Sequence, residues 1–253
     1  MTSITVLEWT YSPSNYFEAP MTLSRDNYKL TIQNGKVEAK LDTEHYEKNP
    51  NIESTIESSL NLRFQGVQLL SHRAYQLTYA GWSRLYPDGR KDVTISPCTA
   101  TATAMACIAD IVVTKKDGSV YDSRKERIQK KAELAELAEK HGATDKLARA
   151  LLDSYSIAVT DTANELIHLY EVRDALAKNF GGEGNACKAL GISKADWSKL
   201  GQIANDEPLN QGRHRGAHAG ILRDATETEL QEARNISQSF ILAYLNYLNK
   251  VST

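Results

Sequence analysis

The chain is poor in cysteine: Cys98, Cys107 and Cys187 are its three, widely spaced, with no C-x-x-C pair and no nearby histidine to complete a zinc site. Reduced, buried thiols are the reading they support. No run of eighteen apolar residues occurs, so a membrane span is not expected. Residues 1–10 mix Thr2, Ser3, Glu8 and Trp9 with apolar residues and lack the basic start and continuous apolar stretch of a secretion signal. The expected location is therefore the cytoplasm, of bacterial type. Positive charge is not in excess either: 30 Lys and Arg against 32 Asp and Glu leave a formal charge of -2 and a pI near 6.3. A chain without a global basic field can recognise phosphate only locally. The sequence also lacks internal repeats and low-complexity segments. Its N-terminal half holds no Gly-rich nucleotide loop, no paired metal carboxylates and no serine elbow. No cofactor and no metal-ligand set is expected.

What is present suits a soluble protein with a sizeable core: 253 residues, 41% hydrophobic and 25% charged, enough for one large domain or two modest ones. The first half is rich in strand signals. Residues 27–41 alternate apolar and polar side chains on either side of Asn34-Gly35, a pair that tolerates the positive φ of a tight primed turn. Leu30 and Ile32 should share a face with Val37, Ala39 and Leu41 across that hairpin, joined by an earlier strand over residues 4–11. Ile52, Ile56, Leu60 and Phe64 recur at helical spacing and predict a helix over 51–70. Strands return over 75–86 and 90–95, flanking the turn Pro87-Asp88-Gly89, and a third hairpin, 106–114 with 119–121, closes on Asp117-Gly118.

Composition changes at Ser123, where a charged helix begins that ends at His141-Gly142. Thr144 offers an N-cap for a helix over 145–155 with the stripe Leu147, Leu151, Leu152 and Tyr155. Leu166, Leu169, Tyr170, Arg173, Leu176 and Phe180 mark one side of a longer helix closed by Gly181-Gly182. A short helix spans 195–203. The last helix opens on a capping box, Thr226 with Glu229, and carries the stripe Leu230, Ala233, Ser237, Phe240, Ile241, Tyr244 and Leu248. The expected architecture is α+β: a strand-rich α+β module over residues 1–122 followed by an all-α helical bundle over 123–253.

Just before the last helix stands Arg213-His214-Arg215-Gly216-Ala217-His218, permanent positive charge and two imidazoles within six residues. An arginine holds phosphate by a fork of hydrogen bonds, while a histidine titrates near neutrality and moves a proton. RNA cleavage without a metal needs such groups: a base for the 2′-hydroxyl proton, an acid for the leaving oxygen and cations for the charge on phosphorus. In a helical conformation His214 and His218 share a face at i, i+4 spacing. Gly212 and Gly216 weaken a helix here, so a loop leading into a helix is the equal alternative. A plainer reading makes the segment a basic surface loop, with Arg215 paired to Asp224 or Glu227. Glu171 and Asp174 on the preceding long helix are candidate carboxylate partners for the arginine or histidines, or solvated charges beside Arg173 and Lys178.

With these residues the C-terminal part, about residues 143–253, resembles the HEPN family (higher eukaryotes and prokaryotes nucleotide-binding). That family is an all-α bundle marked by R-x-x-x-x-H with a polar residue after the arginine, matched in order by Arg213, His214 and His218. The resemblance implies a metal-independent endoribonuclease whose two protomers bring their motifs into a shared cleft. It makes His218 the proton-transfer residue and Arg213 the phosphate-stabilising cation beside Arg215, with His214 orienting or assisting. It implies RNA as the partner molecule, a homodimer formed through the helical domain, and an antitoxin or other protein partner in a toxin-antitoxin or anti-phage system. Other members have lost catalysis and only bind.

Two further classes stay open. Residues 185–193 followed by Trp197 and Leu200 loosely follow a helix-turn-helix, although Lys194 and Lys199 are opposed by Asp196 on the would-be recognition helix. The chain can also be a non-catalytic protein that dimerises and holds a nucleotide, RNA or an acidic partner. In the N-terminal module Trp9, Tyr11, Tyr16, Phe17, Tyr79, Trp82 and Tyr86 offer either a stacking surface or, more commonly for aromatics at strand spacing, a core.

Overall fold

A computed structural model describes residues 3–96, 110–114, 119–215 and 220–251. Cys98, Cys107, the Asp117-Gly118 turn and His218 lie outside the described residues. The fold is α+β: an antiparallel sheet of six strands, in the order β2-β3-β4-β1-β5-β6, precedes a helical C-terminal region. The chain divides into two compact units, residues 1–61 with 75–133 and residues 62–74 with 134–253. The composition break at Ser123 coincides with the start of α3, and the division between the units falls further along that helix.

In the first unit β1 (Ile4–Ser12) is central, pairing with β4 (Lys36–Asp42) on one side and β5 (Gln76–Leu85) on the other. β3 (Tyr28–Gln33) and β4 form the hairpin that Asn34-Gly35 predicts. Both turn residues have positive φ, 48° and 79°, as a primed turn requires. Its register sets Leu30 opposite Ala39 and Ile32 opposite Val37, and all four are buried. β2 (Met21–Ser24) adds an edge that periodicity alone does not announce, being four residues of half-exposed chain. β6 (Lys91–Ile95) forms the opposite edge, reached through a turn in which Gly89 takes φ 88°. A two-stranded ribbon, β7 (Val112–Thr114) with β8 (Val120–Asp122), stands apart from the sheet.

Trp9, Tyr11, Tyr16 and Phe17 are core residues, which removes them from any stacking surface, while Tyr79, Trp82 and Tyr86 are half-buried. Two helices, α1 (Thr43–Lys48) and α2 (Ile52–Ser71), follow β4, and Ile56, Leu60 and Phe64 are buried at their helical spacing. The first unit also buries Lys131, whose Nζ reaches Glu18 at 2.6 Å and the Tyr16 carbonyl at 3.2 Å. Hydrogen bonds from Arg127 and then Lys131 hold the Glu18 carboxyl down to about 2.

The second unit is helical, with α4 (Lys146–Thr160), α5 (Glu165–Phe180), α6 (Glu183–Leu190), α7 (Lys194–Gly201) and α8 (Glu227–Val251). α5 sits among α4, α6 and α8, and its stripe Leu166, Leu169, Val172 and Leu176 is fully buried. Its end follows from glycine: Gly181 is left-handed, and the Gly182 N–H returns to the Ala177 carbonyl at 2.7 Å. α4 departs from expectation at both ends. Asp145, not Thr144, is the N-cap, because its carboxylate accepts from the Ala148 N–H at 2.7 Å, whereas the Thr144 hydroxyl turns back to the Lys140 carbonyl. The helix then continues past Tyr155 because Ala158 and Val159 extend the buried face. α3 (Ser123–Gly142) approaches α2 so closely that a Cβ at Gly66 would lie 2.4 Å from the Leu134 carbonyl oxygen.

The α8 capping box forms as the sequence predicts. The Glu229 N–H donates to Thr226 Oγ1 at 3.2 Å, and the Thr226 N–H donates back to Glu229 Oε2 at 2.8 Å. Glu229 also takes a two-pronged contact from Arg223, the chief reason its carboxyl sits at about 2. Thr226→Ala is expected to cost about 1 kcal/mol, read as a lower urea midpoint at unchanged m-value, with Thr226→Ser close to the parent.

Candidate functional site

The loop that carries the hexapeptide begins on a widened turn. After α7 the chain runs through a π-helical stretch, Gln202–Asp206, closed by the Glu207 N–H on the Gln202 carbonyl. The widened turn leaves the Ala204 carbonyl to accept the Arg213 N–H at 3.0 Å. Gly212 fits beneath, where a Cβ would meet the Ala204 and Leu209 carbonyls at 3.3 Å. Leu209 is buried and bridges to Arg223, whose N–H reaches the Pro208 carbonyl. Asn210 and Gln211 both donate to Asp224. The hexapeptide is thus clipped at its base, and residues 210–215 are turns and bends, not helix. The described part of the segment is therefore a loop, while the i, i+4 relation of His214 to His218 lies outside the described residues.

α5 supplies the wall against which Arg213 lies. Tyr170, Arg173 and Asp174 share a face at i, i+3 and i+4. The Arg213 guanidinium sits over the Tyr170 ring at 4.3 Å, and its Nη1 donates to Asp174 Oδ2 at 3.3 Å. Its side chain remains 37% exposed, and its other donors have no partner among the described residues. A pair this exposed contributes about 0–1 kcal/mol and the stacked ring about 0.5–1 kcal/mol. Both are weak enough for an incoming anion to share or replace Asp174. His214 is exposed beside it.

Arg215 is held differently. It donates from Nε to the Gly212 carbonyl at 3.1 Å and from Nη2 to the Ala163 carbonyl at 2.9 Å and Asn164 Oδ1 at 2.6 Å, tying the loop to the start of α5. It is not paired with Asp224 or Glu227. Asp224 serves Asn210 and Gln211, and Glu227 pairs with Arg234 at 2.6 Å. Of the two candidate carboxylates, Asp174 reaches the hexapeptide and Glu171 does not, since Glu171 faces His168 at 3.5 Å. His168 also contacts Asp161, whose carboxyl is lowered by the Asn164 amide first and His168 second.

Sequence reasoning missed Tyr170 as part of the site, having read it only as a stripe residue. Its one clue was the Arg173-Asp174 pair that follows at helical spacing. Among the described residues no cluster of three His, Cys, Asp or Glu side chains could hold a metal ion, and no helix is long and apolar enough to cross a membrane. Cys187 is buried, and that burial pushes its thiol up, as suits a packing residue.

α6 and α7 meet through Gly191, left-handed at φ 67°, and Ser193, which caps α7 by accepting from the Ala195 N–H at 3.1 Å. Two short helices joined by a turn are thus present where the sequence suggested a helix-turn-helix. The surface beside it is acidic, however: Asp196, Glu227 and Glu232 line one groove, and Lys199 is drawn to Glu232 at 3.6 Å. No family model, curated protein or solved structure matches the chain.

Proposed function

We propose that the helical region is a metal-independent endoribonuclease of HEPN type, acting as a homodimer on RNA in a toxin-antitoxin or anti-phage setting. The observation that carries the reading is Arg213, laid against Tyr170 with one donor on Asp174 and the rest open to solvent next to His214. Such a guanidinium is placed to neutralise a phosphodiester as charge grows on phosphorus. In the reaction the 2′-oxygen attacks phosphorus and gives up its proton, the bond to the 5′-oxygen breaks, and that oxygen takes up a proton. His218 is assigned the proton transfer and His214 an assisting role. Arg215, with Nε and Nη2 engaged within the loop and at the start of α5, is assigned chiefly to holding the loop, with Nη1 left to join Arg213 at the phosphate.

RNA incubated with the purified protein in EDTA is expected to be cut, with an optimum near neutral pH. His218→Ala should slow cleavage by about 10²–10⁴-fold. Equal product from the two proteins, or no cut in any RNA offered, removes the proposal. A second reading, RNA or nucleotide binding without turnover, is supported by Asp174, which already offsets part of the Arg213 charge. Its mark is binding lost in Arg213→Ala with no product from the parent chain. Sequence-specific DNA recognition by α7 fares worse, because a phosphate backbone is repelled by the groove of Asp196, Glu227 and Glu232. Salt-dependent binding to duplex DNA that survives His218→Ala would speak for it.

A further inference from the structure

Arg213 is the outermost member of a stack that begins in the core. Phe240 of α8 stacks on Trp197 of α7 with ring centroids 5.3 Å apart and planes 24° from parallel. The Arg173 guanidinium lies 5.2 Å from the Trp197 centroid and 5.0 Å from that of Tyr170, and its Nη1 donates to the Tyr170 hydroxyl at 2.5 Å. Arg213 then covers the Tyr170 ring at 4.3 Å. Trp197 and Phe240 are fully buried, and Tyr170 is 8% exposed. Glu183 Oε2 stands 3.6 Å from Arg173 Nη2.

We infer that Tyr170 is a positioning residue for Arg213: its ring, fixed by Arg173, holds the guanidinium flat so that its edge donors face an RNA phosphate. The inference rests on the reading of Arg213 as a phosphate ligand and adds the device that orients it. A free arginine side chain loses rotamer freedom when it engages a phosphate, and a side chain already laid on a rigid ring loses less. The ring face also attracts the cation without consuming any of its N–H groups. Asp174 cannot do this work alone, since it restrains one nitrogen through an exposed contact. The Arg173 bond matters because it fixes the hydroxyl end of Tyr170, leaving the ring little freedom to turn away.

The test is a double-mutant cycle on the full chain, all proteins carrying His218→Ala so that RNA is not consumed. Binding of a fluorescent single-stranded RNA is measured for the background protein, Tyr170→Leu, Arg213→Ala and the pair. Tyr170→Leu should weaken binding about two- to fivefold, Tyr170→Phe, which keeps the ring face but not the Arg173 bond, should restore part of the loss, and Tyr170→Leu should add nothing once Arg213 is alanine. A merely structural Tyr170 would instead weaken binding by the same factor in both backgrounds, and that result overturns the inference while leaving the proposed function standing. Arg213→Ala binding RNA as well as the background protein would remove both.

A second measurement needs no ligand and covers the case in which Tyr170→Leu folds poorly. The Arg213 side-chain Nε–Hε resonance should be shifted by the aromatic ring in the parent and in Tyr170→Phe. It should return to its random-coil position in a folded Tyr170→Leu or Tyr170→Met. An Arg213 resonance that none of these changes moves would overturn the inference on its own.

Discussion

Arg213→Ala is expected to slow RNA cleavage by about 10²–10³-fold, the usual loss when one oriented donor to a developing oxyanion is removed. The loss should fall mainly on kcat. The ground-state contact of an arginine already neighboured by a carboxylate accounts for the smaller part of that loss, and the extra charge on phosphorus in the transition state falls chiefly on Arg213, since Arg215 has Nε and Nη2 engaged in the loop and at the start of α5. Arg213→Lys should recover only a small part. An ammonium keeps the charge but cannot lie flat on Tyr170 while presenting a planar fork to phosphate. Steady-state and single-turnover kinetics on one RNA check both statements, and a lysine variant as fast as the parent would show that charge alone suffices.

Arg234→Ala is expected to destabilise the helical unit by about 3–5 kcal/mol, a large part of the roughly 5–15 kcal/mol that holds a domain folded. Glu165, at the start of α5, is 1% exposed and takes two bonds from Arg234, at 2.5 and 2.9 Å, with His72 Nε2 at 3.3 Å. Removing the arginine strands a buried carboxylate. Burial alone would raise the Glu165 carboxyl, but the hydrogen bonds from Arg234 and then His72 outweigh it and leave it below its ordinary 4.5. Because the folded state binds this proton less readily than the unfolded one, the stabilisation is complete above pH 4.5 and is lost as pH falls through the lower folded value. Thermal melts from pH 7 to 3 should therefore show the parent losing a stabilisation that Arg234→Ala never had. Glu165→Gln combined with Arg234→Met should be milder than Arg234→Ala, since no unpaired charge is left inside.

Local chemistry was readable from the chain and distant partners were not. Asn34-Gly35 specified its hairpin because few residue pairs accept two successive positive φ angles, and Thr226 with Glu229 specified the start of α8 because both halves of the cap lie within one turn. At Thr144-Asp145 two cap formers stand side by side, and pattern alone could not say which one the helix uses. The short edge strand β2 and the short helix α1 carry too few residues for periodicity to register. Arg213, His214 and Arg215 suggested phosphate chemistry by residue type alone. Their division of labour depends on Tyr170, Asp174 and Asn164, each brought from far along the chain by the packing of α5. Asp174 could be named because a carboxylate is the natural partner of a guanidinium. Tyr170 was hidden because a buried aromatic on a helix stripe looks the same whether or not a cation rests on it.

The run of rings and guanidinium groups from Phe240 outward makes the affinity of a surface arginine answerable to the deep interior. A change at Phe240 or Trp197 that a folding assay would score as mild repacking displaces the foundation on which the outer groups rest. Under the proposed function, selection acting on grip for a polyanion would reach residues that no polyanion ever meets.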